Sequence, residues 1–163
     1  TAALMLPGTV LLLSMFLGSG DYPAIHDITT DTIDPPLFAS AEERRPEGSN
    51  ALEIVDEVIA QQNTAYPDIK TITSSLAMAE AFAQAIEVAD ALGWEVVNSD
   101  ADAGLIEAVD TTAIMGFKDD IVIRLRGNGD TTLVDLRSVS RVGVSDLGAN
   151  AIRIRAFQSG FGG

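Results

Sequence analysis

Six of the ten basic residues in this 163-residue chain fall between positions 124 and 155: Arg124, Arg126, Arg137, Arg141, Arg153 and Arg155. Three acids share that stretch, Asp130, Asp135 and Asp146, so it carries +3 inside a chain of net charge −14. Guanidinium forks and the unpaired N–H groups of a helix start both favour oxyanions. With Asp146 capping a final helix, its first-turn amides and Arg137, Ser138, Ser140, Arg141, Ser145 and Arg153 make a candidate site for a phosphate or carboxylate. The competing reading consumes the arginines internally. Asp119, Asp120, Asp135 and Asp146, with Glu107, are then structural ion-pair partners, since networks of that kind also concentrate arginine. Anion binding requires several guanidiniums converging on one open concavity, and the network requires a carboxylate at each.

Other chemistry is thinner. Asn98-x-Asp100-x-Asp102-x-Gly104 resembles the opening of a calcium loop, but Ala103 stands at the glycine position and Val109 where the closing bidentate glutamate belongs. The pattern reads as an acidic hairpin turn, and no metal or cofactor is expected. His26 is the single histidine and no G-x-S-x-G elbow occurs, so a serine-type triad has no support. A hydrogen bond that pins its segment to the domain is the expected role of His26. Asp119 and Asp120 are adjacent on an expected strand, which sends their carboxylates to opposite faces. With no cysteine, thiolate and disulfide chemistry are excluded.

The run Arg137-Ser138-x-Ser140-Arg141-x-Gly143-x-Ser145-Asp146-x-Gly148-x-Asn150-x-x-Arg153-Ile154 is long enough to be specific. Together with His26-Asp27-Ile28-Thr29-Thr30-Asp31 and Phe117-Lys118-Asp119-Asp120, it resembles the domain of unknown function 1499 family over roughly residues 21 to 160. The resemblance implies no settled activity and no catalytic residue. It also implies that hydrophobic membrane segments often precede the domain.

The elements that must position these residues follow from periodicity. Residues 1–20 carry no charge and are apolar enough to lie in a membrane, at about the length that spans a bilayer core. Packing as a buried arm is the alternative. No Lys or Arg occurs before Arg44, while Asp21, Asp27, Asp31 and Asp34 follow the apolar run. That flank suits the outer, periplasm-like side. Residues 21–48, interrupted by Pro23, Pro35, Pro36 and Pro46, read as an extended linker lying on a globular domain at 49–163. Asn50 and Glu53 suggest a capping box for a helix over 51–62, and Tyr66-Pro67-Asp68 turns into a short strand at 69–74. Ser75, the stripe Met78, Phe82, Ala85, Ile86, Ala89, Leu92 and the stop at Gly93 predict a long helix. Trp94 and Phe82 are expected in the core.

Strands at 94–97 and 105–112 make one hairpin. Those at 121–126 and 131–139 make another around Gly127-Asn128-Gly129-Asp130, pairing 126 with 131 and Asp120 with Arg137. A final helix closes the chain. The fold expected is α+β: a mainly antiparallel sheet of about four to five strands covered on one face by two or three helices. Hydrophobic residues at 47 % and charged residues at 21 % argue for a packed core, and the acidic balance excludes general nucleic-acid binding.

Two functional expectations result. One is a non-catalytic, membrane-tethered extracytoplasmic envelope domain that docks on another membrane or envelope protein or on copies of itself. The other is binding or processing of an anionic envelope ligand at the arginine-rich turn.

Overall fold

The computed structural model describes residues 22–162. The membrane-associated segment expected at residues 1–20 lies outside them. Among the described residues, no helix is long and apolar enough to cross a membrane.

The chain runs β1 (Asp27–Thr29), α1 (Ala41–Arg44), α2 (Asp56–Ala65), β2 (Ile72–Ser74), α3 (Met78–Ala91), β3 (Glu95–Asp100), β4 (Leu105–Thr111), β5 (Lys118–Asn128), β6 (Thr131–Ser140) and α4 (Ala149–Phe161). The architecture is α+β. Six antiparallel strands form one sheet in the order β1-β6-β5-β4-β3, and β2 also pairs with β6. The short strands β1 and β2 lie end to end along one edge of β6, against residues 137–139 and 132–134.

One sheet face is apolar. Ile106, Ala108, Ile121, Ile123, Leu125, Val134 and Leu136 pack beneath α3, through Ala81, Ala85 and Ala89, and beneath α4, through Ala151, Ile154 and Phe157. The small alanine side chains bring α3 close to the strands. Trp94 stacks on Phe157 at 5.7 Å between ring centroids, inside the core as expected.

The β5–β6 hairpin is tighter than its sequence suggests. Asn128 pairs with Thr131, leaving Gly129-Asp130 as the connection, and positive φ falls on Gly129, the first central residue, as in a type II′ turn. The register therefore moves by two residues: Arg126 pairs with Leu133, Arg137 with Val122, and Asp120 with Val139 rather than with Arg137. A shift of two keeps every side chain on its expected face. A shift of one would move Ile121, Ile123 and Leu125 out of the core, each contributing roughly 1.5–3 kcal/mol on burial.

Tertiary contacts overrule one helix start. Residues 51–55 are not helical, and α2 begins at Asp56 with no side-chain cap. Asn50 instead donates its side-chain amide to the carbonyls of Ser140 and Gly143, and the Leu52 carbonyl accepts from Arg137. The long-range partners win because they satisfy groups at the end of a buried strand. In the same way the 69–74 strand shortens to β2, and α3 starts at Met78, with Ala77 as its N-cap.

Helix α2 performs a service for β1. The outer edge of that strand is closed by Gln62, whose Oε1 accepts from Thr29 N at 2.9 Å while its Nε2 donates to Thr29 O at 2.6 Å. The side-chain amide thus stands in for a neighbouring strand. Gln62→Ala leaves both buried groups without a partner, at about 1–3 kcal/mol each. Urea denaturation is expected to show that loss, with exposed Gln61→Ala near neutral.

Candidate functional site

Charge defines the second face of the sheet. Side chains at Asp27, Thr29, Glu107, Asp120, Arg124, Arg126, Asp135 and Arg137 share it by strand parity, and residues 31–53 pass over it. Glu107, Asp120 and Asp135 are fully buried and Arg137 is 1 % exposed. Desolvated charges on this scale persist only when paired and hydrogen-bonded.

Each guanidinium here has carboxylates. Arg137 grips Asp27 through Nε at 3.0 Å and Nη2 at 2.7 Å, donates to the Leu52 carbonyl at 2.8 Å, and lies 5.6 Å from the centre of the Phe38 ring. Arg141 forms a bidentate pair with Asp120 at 2.9 and 2.8 Å. Asp120 also attracts Arg45, whose Nε stands 3.1 Å from Oδ2 but off the hydrogen-bond direction. Arg124 and Arg126 share Asp31, Asp34 and Asp135, and the other oxygen of Asp135 accepts from Thr30 and Thr71 hydroxyls at 2.8 and 2.6 Å.

The remaining predicted residues lie on the opposite, helix-covered face. Arg153 reaches from α4 to Asp119 at 2.6 Å and Asp110 at 2.8 Å, and donates to Ser138 and Asn150. Asn150 also ties Ser138, Ser140 and the His26 carbonyl together. Ser145 donates to the Pro23 carbonyl at 3.3 Å. Asp146 pairs with no arginine among the described residues. It takes the amides of Gly148 and Asn150 at 2.8 and 2.9 Å, which anchors the start of α4.

The six oxyanion candidates are therefore not brought together. Arg137 and Arg141 serve one face of the sheet, while Ser138, Ser140 and Arg153 serve the other. The α4 amides that would greet an anion already hold Asp146. Over Arg137 lies an open cleft of about 450 Å³, lined in part by Glu42, Glu43 and Glu53, a rim that repels anions. Asp100, from the calcium-like run, accepts from the Ala103 amide as part of the hairpin turn. The His26 ring lies 3.4 Å from the Val144 carbonyl.

The partners that sequence reasoning missed are Asp27, Asp31, Asp34, Asp68 and Asp110 for the arginines, together with Arg45 and Asn150. Asp27 sits 110 positions from Arg137, so no local spacing announces the pair. The one signal was the motif His26 to Asp31 itself, recognisable as a pattern without its purpose.

Glu107 accepts four hydrogen bonds, as many as Asp135. The amides of Ala39 and Ser40 donate to Oε1 at 3.1 Å each, while the Ser40 hydroxyl and Asn98 donate to Oε2 at 2.5 and 2.8 Å. Burial pushes its pKa up, but the Ser40 and Asn98 bonds outweigh that and hold it below the usual glutamate range. Asp31 is likewise lowered: burial opposes, and the amides of Asp34 and Ile33, with Arg126, prevail. Asp146 goes the other way, raised by burial against its two amide bonds.

A model of the family described as "Protein of unknown function (DUF1499)" matches residues 27–161. No curated protein shows significant sequence similarity to the chain.

Two outcomes test this network. Arg141→Ala leaves buried Asp120 with a single misdirected partner and costs about 3–5 kcal/mol; replacing Asp120 as well recovers part of the loss in a double-mutant cycle read by urea denaturation. For pH, carboxylates with lowered folded pKa contribute stability above their unfolded values, and it is lost as pH falls through the folded ones. The urea midpoint is expected to drop as pH falls below the ordinary glutamate value of 4.5, and Glu107→Gln flattens that acid limb.

Proposed function

We propose, from the premise that this chain belongs to the DUF1499 family, that it is a non-catalytic extracytoplasmic domain of a membrane-tethered envelope protein, acting in protein interaction or assembly. The observation that carries this reading is the internal neutralisation of the arginine cluster. Arg137, Arg141 and Arg153 each hold a carboxylate through at least one charge-assisted hydrogen bond. An anionic substrate at this turn would have to displace those partners and expose buried acids. The network instead fastens residues 31–53 to the sheet.

The tether and its side rest on sequence. Residues 1–20 are uncharged, and the next charges are all acidic as far as Asp34. That pattern supports a membrane-embedded segment followed by an outward-facing domain.

Cell fractionation tests the reading. The full chain is expected to stay in the membrane pellet through an alkaline carbonate wash and to be degraded by protease added outside the cytoplasmic membrane. At constant ionic strength, phosphate and citrate are expected to leave its thermal midpoint unchanged. A carbonate-soluble or protease-protected chain removes the tethered reading. A saturable upward shift with phosphate, abolished by Arg153→Lys, establishes the ligand reading instead.

A further inference from the structure

Two loops leave the same end of the sheet with their apolar side chains in water. Residues 112–117 join β4 to β5 and carry Ile114, Met115 and Phe117, exposed by 68, 66 and 47 %. Residues 141–148 follow β6 and carry Val142, Val144 and Leu147, exposed by 50, 75 and 64 %. The loops are neighbours, since the Arg141 amide donates to the Lys118 carbonyl at 3.1 Å. Clustered large apolar groups at loop tips, unlike scattered ones, mark a contact surface.

The charges flanking these loops are Asp110, Lys118, Arg141 and Asp146, and among them Lys118 alone is exposed. Asp110 holds Arg153, Arg141 holds Asp120, and Asp146 takes two backbone amides. Of the four charges on the loops' own flanks, three are thus engaged internally.

The amino-terminal side of the domain arrives at this end too. The Pro23 carbonyl accepts from Ser145, the Ile25 carbonyl accepts from the Asp146 amide at 3.0 Å, and the Tyr22 ring lies where a Cβ on Gly148 would sit, 2.7 Å from it. Between Leu17, the last large apolar residue of the opening run, and Tyr22 stand Gly18, Ser19, Gly20 and Asp21. Five steps of extended chain reach at most about 18 Å. The opposite end of the sheet, at the β5–β6 turn, is ten steps of strand away, roughly 33 Å.

We propose that this end of the domain, the apolar tips of the 112–117 and 141–148 loops, rests in the interfacial layer of the lipid bilayer beside the membrane segment. The proposal depends on the reading of residues 1–20 as membrane-embedded and adds the face that touches lipid. The short spacer keeps this end near the bilayer and the other end away from it. Tethering supplies a high local concentration, so shallow insertion of a few aliphatic tips suffices to hold one orientation. The engagement of Asp110 by Arg153 and of Asp146 by two backbone amides limits the repulsion that the loops' own flanking acids would meet at an anionic leaflet.

The lack of native cysteine makes the test direct. Met115→Cys, Val144→Cys and Asn128→Cys are each labelled with a polarity-sensitive fluorophore on the full chain, reconstituted into phosphatidylcholine vesicles containing spin-labelled lipid. Labels at 115 and 144 are expected to shift to the blue and lose emission to the lipid-borne quencher, while the label at 128 does neither. If the chain co-floats with vesicles but 115 and 144 report water, the docking face is wrong and the tether stands. If they shift to the blue without quenching, residues 1–20 or a second copy cover the loops and the lipid proposal falls. If the chain does not float with vesicles, the tethered reading fails and this proposal with it.

Discussion

A charge taken out of water must meet its opposite, and this requirement governs the second face of the sheet. Arg137, Asp120, Asp135 and Glu107 all lie there with almost no solvent contact. Removing one partner from such a set costs several kcal/mol because the survivor stays buried. The path of residues 31–53 follows from this. Asp31 and Asp34 are drawn to Arg124 and Arg126, the amides of Ala39 and Ser40 to Glu107, and the Leu52 carbonyl to Arg137. A segment with few large apolar anchors is thereby fastened across the sheet.

The two faces of the sheet use different physics for the same end. Beneath α3 and α4 the contact is aliphatic and aromatic, non-directional and tolerant of small shifts. Beneath the crossing segment it is ionic and directional, and it specifies one arrangement. At the strand ends the two meet: Arg153 and Asn150 carry a polar bridge from α4 through Ser138 and Ser140 to the His26 carbonyl. The arginines act as mortar between elements far apart in sequence, such as Arg137 with Asp27 and Arg153 with Asp110. With its polar capacity turned inward, the domain leaves to solvent an acidic surface and the apolar loops at one sheet end.

Much of the architecture was legible from local pattern. The alternation Ile121, Ile123, Leu125 against Arg124 and Arg126 assigned faces correctly even though the register was off by two, because face depends only on parity. The stripe from Met78 to Leu92 and the turn glycines located α3 and both hairpins. What misled was local chemistry with a distant competitor. Asn50 and Glu53 make a sound capping box, yet Asn50 serves the end of β6 instead. Strand β1 was hidden in a Pro- and Asp-rich run, for its pairing partner Val139 lies more than a hundred residues on.

By itself the sequence determined the α+β class, the apolar face of the sheet, the acidic surface and the presence of an arginine cluster, all properties of composition or short-range period, and its motifs carried the resemblance to the family. Only the tertiary structure decided which partners the cluster's guanidiniums hold. A guanidinium that binds a ligand and one that binds its own chain are identical residues in identical motifs. They differ in whether a carboxylate from another part of the chain, such as Asp27 at Arg137 or Asp110 at Arg153, already occupies the fork. That occupancy is set by contacts between elements distant in sequence, which no local pattern encodes.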